Sequence, residues 1–262
     1  MIDTHCHLDI AAFDTDRDAV LARAAAAGVT GVLIPAVRPR TWQALRELAA
    51  RHAGSGVALR IALGIHPQVV PELEPGEAGD DFADVLARAI EDSGAVAVGE
   101  CGLDGATGDR ERQEQLFRAH IRAARALKRP LIIHVLRAHD AAPRILAEES
   151  AGEVGGVLHS YSGGEHLLPV YRALNLCFSF AGPVTYANAR KPVAAARAVP
   201  DSLLLAETDA PDQAPASHRG GRSEPAYVAD VIAGLAAARR ASAREIAELT
   251  TANAERLFGI FS

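Results

Sequence analysis

The feature that most constrains this chain is a repeated alternation. Short runs of β-branched and aliphatic residues are followed, down the whole length, by Ala-, Arg- and Glu-rich stretches of helical periodicity. Eight strand candidates stand out, at residues 2–7, 29–35, 59–66, 95–100, 130–134, 156–159, 176–180 and 203–207. Each is short and mostly apolar, as a strand covered on both faces must be. Helix candidates fill the intervals at 15–27, 41–52, 80–92, 109–127, 138–149, 165–174, 187–198 and 225–239. Thr15 is placed to cap the first of these and Gly28 to end it. Ser242 caps a further helix, and 253–258 closes the chain.

Strictly alternating strand and helix implies a parallel sheet with right-handed crossovers. Eight units in 262 residues match an α/β fold of one kind, the (β/α)8 TIM barrel, which takes about 250. The expectation is a single domain over residues 1–262. An open doubly wound sheet is the alternative, although no Gly-x-Gly-x-x-Gly run follows the first strand. The Gly/Pro-rich stretches 71–79 and 211–221 read as long βα loops, which in a barrel rim the active-site face.

Bulk properties exclude several classes. Hydrophobic residues make up 49% and charged residues 23%, an ordinary globular balance, and no run approaches the ~20 apolar residues of a membrane span. Met1-Ile2-Asp3-Thr4-His5 lacks the basic, then apolar, start of a secretory signal, so a cytoplasmic protein is expected. Cys6, Cys101 and Cys177 have no metal-ligand spacing and read as reduced thiols. A net charge of −6 argues against a broad basic surface for long duplex DNA, while leaving local arginines free to hold one or two phosphates. No obligate protein partner is evident.

Chemistry concentrates at the strand ends. His5 and His7 are two apart on a strand, so both imidazoles point to one side and Cys6 faces the helices. His66 ends the third strand, Glu100 the fourth, His134 the fifth and His159 the sixth, and Asp209 lies just past the eighth. Five of the ten histidines therefore occupy positions that a barrel gathers at one mouth. Imidazoles with carboxylates suit Zn2+ or Mn2+, and carboxylate with water suits Mg2+. His5, His7, Glu100, His134, His159 and Asp209 are too many ligands for one tetrahedral site with an open position. They suit two divalent ions bridged by a carboxylate, with Glu100 the candidate bridge. A carboxylated lysine is not available for that role, since Lys128 and Lys191 both lie away from strand ends. Asp209 can bind an ion and accept a proton from the attacking water, so hydrolysis is the expected reaction, with Asp209 and Glu100 as its catalytic carboxylates.

Six ordered blocks resemble the TatD-type metal-dependent deoxyribonucleases: Asp3-Thr4-His5-Cys6-His7-Leu8-Asp9, Gly64-Ile65-His66-Pro67, Gly99-Glu100-Cys101-Gly102-Leu103-Asp104, Ile132-Ile133-His134, His159-Ser160-Tyr161-Ser162-Gly163 and Glu207-Thr208-Asp209-Ala210-Pro211. The ending, Thr250-Thr251-Ala252-Asn253 with Leu257-Phe258, is similar too. The resemblance implies a barrel, two divalent ions and hydrolysis of DNA, in some members as a 3′-to-5′ exonuclease on single strands. The substrates it implies are DNA ends or short oligonucleotides. By position, His5, His7 and Asp209 would hold one ion, His134 and His159 the other, Glu100 would be shared, and His66 would sit near the scissile phosphate.

The chain departs from the family pattern in places. Leu136 stands where an arginine is common, with Arg137 one place later as a substitute phosphate contact. Gly105 replaces an aromatic, Cys101 an aliphatic, Tyr161 a phenylalanine and Ser223 an asparagine. These leave substrate preference open, and an amidohydrolase-like enzyme opening a small ester, lactone or amide is the alternative. A catalytically silent barrel has no chemical need for both Glu100 and Asp209. Asp104 either orients a ligand or caps a loop. His52, His120, His166 and His218 read as solvated or loop histidines, and Arg222-Ser223-Glu224-Pro225 as a helix start that could face an anion.

Overall fold

The computed structural model describes residues 1–74, 76–259 and 261. Pro75, inside the expected 71–79 loop, and Ile260 and Ser262, at the end of the expected domain, lie outside the described residues. Eight strands form: β1 Ile2–Asp3, β2 Gly31–Pro35, β3 Ala58–Leu63, β4 Ala97–Asp104, β5 Leu131–Leu136, β6 Gly156–Leu158, β7 Leu176–Phe180 and β8 Leu204–Ala206. They pair in parallel in chain order, each with the next. The ring closes where the Thr4 N–H donates to Ala206 O (3.2 Å), Asp209 N–H to His5 O (2.9 Å) and His7 N–H to Ala210 O (2.8 Å). A sheet whose order never reverses and whose last strand meets its first is a (β/α)8 barrel, not a doubly wound sheet.

The helices that follow the strands in turn are α1 Arg17–Ala26, α2 Trp42–Arg51, α3 Phe82–Ser93, α4 Arg110–Leu127, α5 Ala142–Glu148, α6 Leu168–Arg172, α7 Arg190–Ala198 and α8 Val228–Arg239, with α9 Ala243–Phe258 after them. One apolar cluster takes a single residue from every strand, Ile2, Leu33, Ala62, Ala97, Ile132, Val157, Cys177 and Leu205, and adds Ala254, Phe258 and Phe261. This is the packed barrel interior, stoppered at its lower end by Ala254 and Phe258 of α9 and by Phe261. The larger cluster fills the shell between strands and helices.

Two caps separate expectation from outcome. Ser242 caps α9 through a reciprocal box, accepting from the Glu245 N–H at 3.2 Å while the Glu245 carboxylate accepts from the Ser242 N–H at 2.7 Å. The first helix starts later than Thr15 suggests. Asp16 occupies its cap position without bonding the helix, because the Asp16 carboxylate is held by Arg222 and Arg23 instead.

Candidate metal centre

β4 does not end at Glu100, as the sequence pattern implied, but runs on to Asp104. The register with β5 slips between Val98 and Cys101, a bulge that puts one extra residue on β4. Ala97 faces the barrel interior, and Val98, Cys101 and Leu103 face the helices. The extra residue lets Glu100 turn inward without disturbing that alternation, and its N–H bonds Ala36 O across the barrel rather than a neighbouring strand. Glycines make the bulge possible. A Cβ on Gly99 (φ +147°) would lie 2.5 Å from Ile132 O, and one on Gly102 (φ +134°) only 2.0 Å from His134 O.

The other groups arrive by plain alternation. Ile132, Val157 and Leu205 are interior residues, so His134, His159 and Glu207, two places on, point up the same bore to its mouth. Regular pairing of β1 stops at Asp3, short of the expected residue 7, yet Cys6 packs outward and bridges to Ala210 while His5 and His7 turn in.

The buried Glu100 carboxylate lies at the centre of what converges there. Its Oε2 is 3.1 Å from His5 Nε2 and 3.5 Å from His7 Nε2. Asp209 Oδ1 lies 3.6 and 3.8 Å from the same two nitrogens. Glu100 Oε1 is 2.7 Å from His159 Nε2, 3.2 Å from His134 Nδ1 and 2.9 Å from His66 Nε2. The two oxygens of one carboxylate thus face two separate sets of imidazoles.

Hydrogen bonds on the far ring atoms decide which nitrogens carry a lone pair, since a neutral imidazole has one donor and one acceptor. His134 Nε2 lies 3.3 Å from Asp104 Oδ2, and a proton held there would leave Nδ1 to ligate. His159 Nδ1 faces the Glu207 carboxylate at the longer distance of 3.5 Å, and a proton directed there would leave Nε2 to ligate. The free nitrogens of these two rings are 3.1 Å apart, near enough for both to ligate one metal ion with ~2.1 Å bonds. His66 is the reverse case. Its Nδ1 accepts from the Gln68 N–H at 3.1 Å, so Nε2 carries the proton and donates to Glu100. His66 is therefore a donor aimed into the site, not a ligand, despite its place beside Glu100 and His134.

Charge points the same way. Glu100, Asp104, Glu207 and Asp209 are gathered with five imidazoles, and among the described ion pairs these four carboxylates meet no lysine or arginine. Buried carboxylates in that excess need cations. Burial would raise the Glu100 carboxyl, but His159, His66 and His5 hold it well below the carboxylate range. Burial, and then His5, pushes His7 down to about 3, keeping it a neutral ligand. Burial raises Asp209 against the pull of His159 and His5, which suits a group that takes up a proton. The residues present fit divalent ions.

Several supporting residues escaped sequence reasoning. Glu207 was legible only as a strand end, yet it orients His159 and accepts from the Ser160 N–H. Asp3 receives the Thr208 and His5 N–H groups, at 2.9 and 3.3 Å, tying the His5 and Asp209 segments together. Asp104 performs both candidate roles, holding His134 through Oδ2 and capping the loop by accepting from Ala106 N–H at 2.8 Å. Arg137 lies exposed just past β5 at φ +50°, and a Cβ on Gly105 would lie 2.3 Å from its carbonyl. That contact accounts for glycine in place of the aromatic. Arg222 is turned to Asp16 and to the Phe13 ring, with the Asp16 carboxylate bound across its Nη1 and Nη2. His120 is fully buried between α4 and the end of β3, contrary to the solvated reading.

Compared with known proteins, residues 2–259 match the family model described as TatD related DNase. The chain belongs to the TatD-related DNase family. It is similar to the uncharacterized metal-dependent hydrolase YabD of Bacillus subtilis (strain 168), 34% identical with 99% of each chain covered. The crystal structure of YjjV, the TatD homologue of Escherichia coli K12, superposes with a TM-score of 0.89 at 33% identity, covering 99% of this chain and 98% of that one. A Pantoea ananatis (strain LMG 20103) relative named 3′-5′ ssDNA/RNA exonuclease TatD is 29% identical over 99% of this chain and 100% of its own. This TatD-family chain is a metal-dependent hydrolase. No helix among its described residues is long and apolar enough to cross a membrane.

Proposed function

We propose that the chain is a two-ion phosphodiesterase that hydrolyses DNA ends or short oligonucleotides. The observation that carries this reading is the division of Glu100, with Oε2 facing His5 and His7 and Oε1 facing His134 and His159. His5, His7, Asp209 and Glu100 Oε2 would hold one ion, and His134, His159 and Glu100 Oε1 the other. Two divalent ions supply an acidified water and neutralise charge on the attacking and leaving oxygens of an in-line displacement.

The chain's own groups do the rest. Asp209, its carboxyl raised by burial, takes the proton of the attacking water. His66 Nε2–H, held in the donor form by Gln68, donates to a non-bridging phosphoryl oxygen. Arg137, exposed at the rim, contacts the neighbouring phosphate. The similarity to a relative named 3′-5′ ssDNA/RNA exonuclease supports reading the substrate as a nucleic-acid strand rather than a small ester.

The test is cleavage of single-stranded DNA labelled at its 3′ or its 5′ end, with Mg2+ or Mn2+, beside a chelator control and Asp209→Asn. A metal-dependent ladder lost in the variant is expected, and its direction gives the polarity. A protein that binds two ions yet cuts neither substrate would transfer the same chemistry to a small ester, lactone or amide.

A further inference from the structure

The third side chain on Asp209 is Gln213, a residue on the β8–α8 loop that belongs to none of the ligand sets. Its Nε2 donates to Asp209 Oδ2, while Asp209 Oδ1 is left facing His5 and His7. The Ser160 hydroxyl lies 2.7 Å from the same Nε2 and 2.9 Å from Oε1. The Ser160 N–H in turn donates to Glu207, the partner of His159 Nδ1. A chain of polar contacts therefore runs from His159 through Glu207, Ser160 and Gln213 to Asp209, joining a ligand of one ion set to the carboxylate of the other.

The backbone is shaped for these contacts. Ser160 (φ +40°), Asp209 (φ +52°) and Gln213 (φ +49°) are all non-glycine residues in the left-handed region, where such outliers persist only when their surroundings hold them. Gln213 is also seated from beneath. A Cβ on Gly182 would lie 1.9 Å from Gln213 O, and the Tyr186 hydroxyl donates to Ala214 O at 2.7 Å.

We propose that Gln213 is a positioning residue for Asp209, fixing which carboxylate oxygen meets the ion and which stays clear of it. An amide suits the task because its NH2 only donates, so it binds Oδ2 as an anion and cannot compete for the proton that Asp209 receives. This rests on the two-ion reading above. Without the amide, Asp209 can rotate about its side chain and offer either oxygen to His5 and His7.

The experiment compares wild type with Gln213→Leu, Gln213→Glu and Ser160→Ala in two ways. One is Mn2+ titration by calorimetry, and the other is steady-state hydrolysis of bis(p-nitrophenyl) phosphate. For Gln213→Leu one class of Mn2+ sites is expected to weaken by about 10- to 100-fold, the usual effect of losing a group that orients a ligand. kcat should fall with KM unchanged. Gln213→Glu keeps the shape but sets two carboxylates together and should be worse, while Ser160→Ala should move both readouts in the same direction but less. Wild-type Mn2+ affinity and kcat in Gln213→Leu would overturn the proposal. Should Gln213→Leu not fold, unchanged values in Ser160→Ala and Gln213→Glu would overturn it equally. Failure of the wild type to hydrolyse any phosphodiester would instead sink the phosphodiesterase reading, and the Mn2+ titration would still decide the role of Gln213.

Discussion

His120 offers a perturbation whose size follows from its surroundings. It is fully buried on α4, with Nδ1 2.7 Å from Leu116 O and Nε2 accepting the Ile65 N–H at 2.9 Å. Both nitrogens are used, so a second proton can enter only by displacing Ile65, the residue beside His66. Burial, which the contact with Leu116 O only partly offsets, pushes its pKa down to about 4, against 6.5 for a free imidazole. At neutral pH both folded and unfolded chains hold it neutral and nothing is lost. As pH falls through 6.5 the unfolded chain takes a proton that the native state refuses, so stability declines until about pH 4. From this one group the loss is negligible at pH 7, about 2 kcal/mol at pH 5 and about 3 kcal/mol below pH 4. His120→Gln retains an acceptor for Ile65 and cannot titrate. Urea unfolding with chelator present throughout, followed by two probes, should show the variant slightly weaker at pH 7 but losing about 2 kcal/mol less than wild type on going to pH 5. Equal losses in both proteins would refute the assignment of His120 as a neutral bridge.

Other expectations follow from the site. Asp104→Asn keeps the shape but weakens the bond that fixes the His134 proton on Nε2, and calorimetry should show metal affinity reduced by about 10- to 100-fold. Gly102→Ala drives a Cβ into His134 O at φ +134°, and should cost about 3 kcal/mol or more, read as a large drop in the thermal midpoint. Arg222→Ala breaks the pair with Asp16 and should leave KM for oligonucleotides unchanged, because Arg222 is turned to Asp16 and Phe13. A raised KM would restore it as a phosphate contact.

Much of the barrel was legible because its code is local. β7 falls at residues 176–180, as the pattern predicts, since a strand covered on both faces is written as an apolar run. The ligands were legible for a related reason, as polar residues two places beyond interior ones must share their face. β4 outran its expected end because a bulge is a non-local device: Glu100 turns inward only where the backbones of β5 and the loop after β2 receive it. Gln213 and Glu207 were missed because their partners come from other strands and from a loop conformation that no periodicity encodes. His120 was missed although a signal existed. It lies four residues after Leu116 and four before Ala124 on the buried face of α4.

The claim that Glu100 joins two ions is tested most directly by equilibrium dialysis of the chain against Mn2+, counting ions per chain and recording whether their electron spins are coupled. Two coupled ions in the wild type, with coupling lost in Glu100→Gln, are the expected result. One ion per chain, or two that remain magnetically independent, would contradict the shared carboxylate.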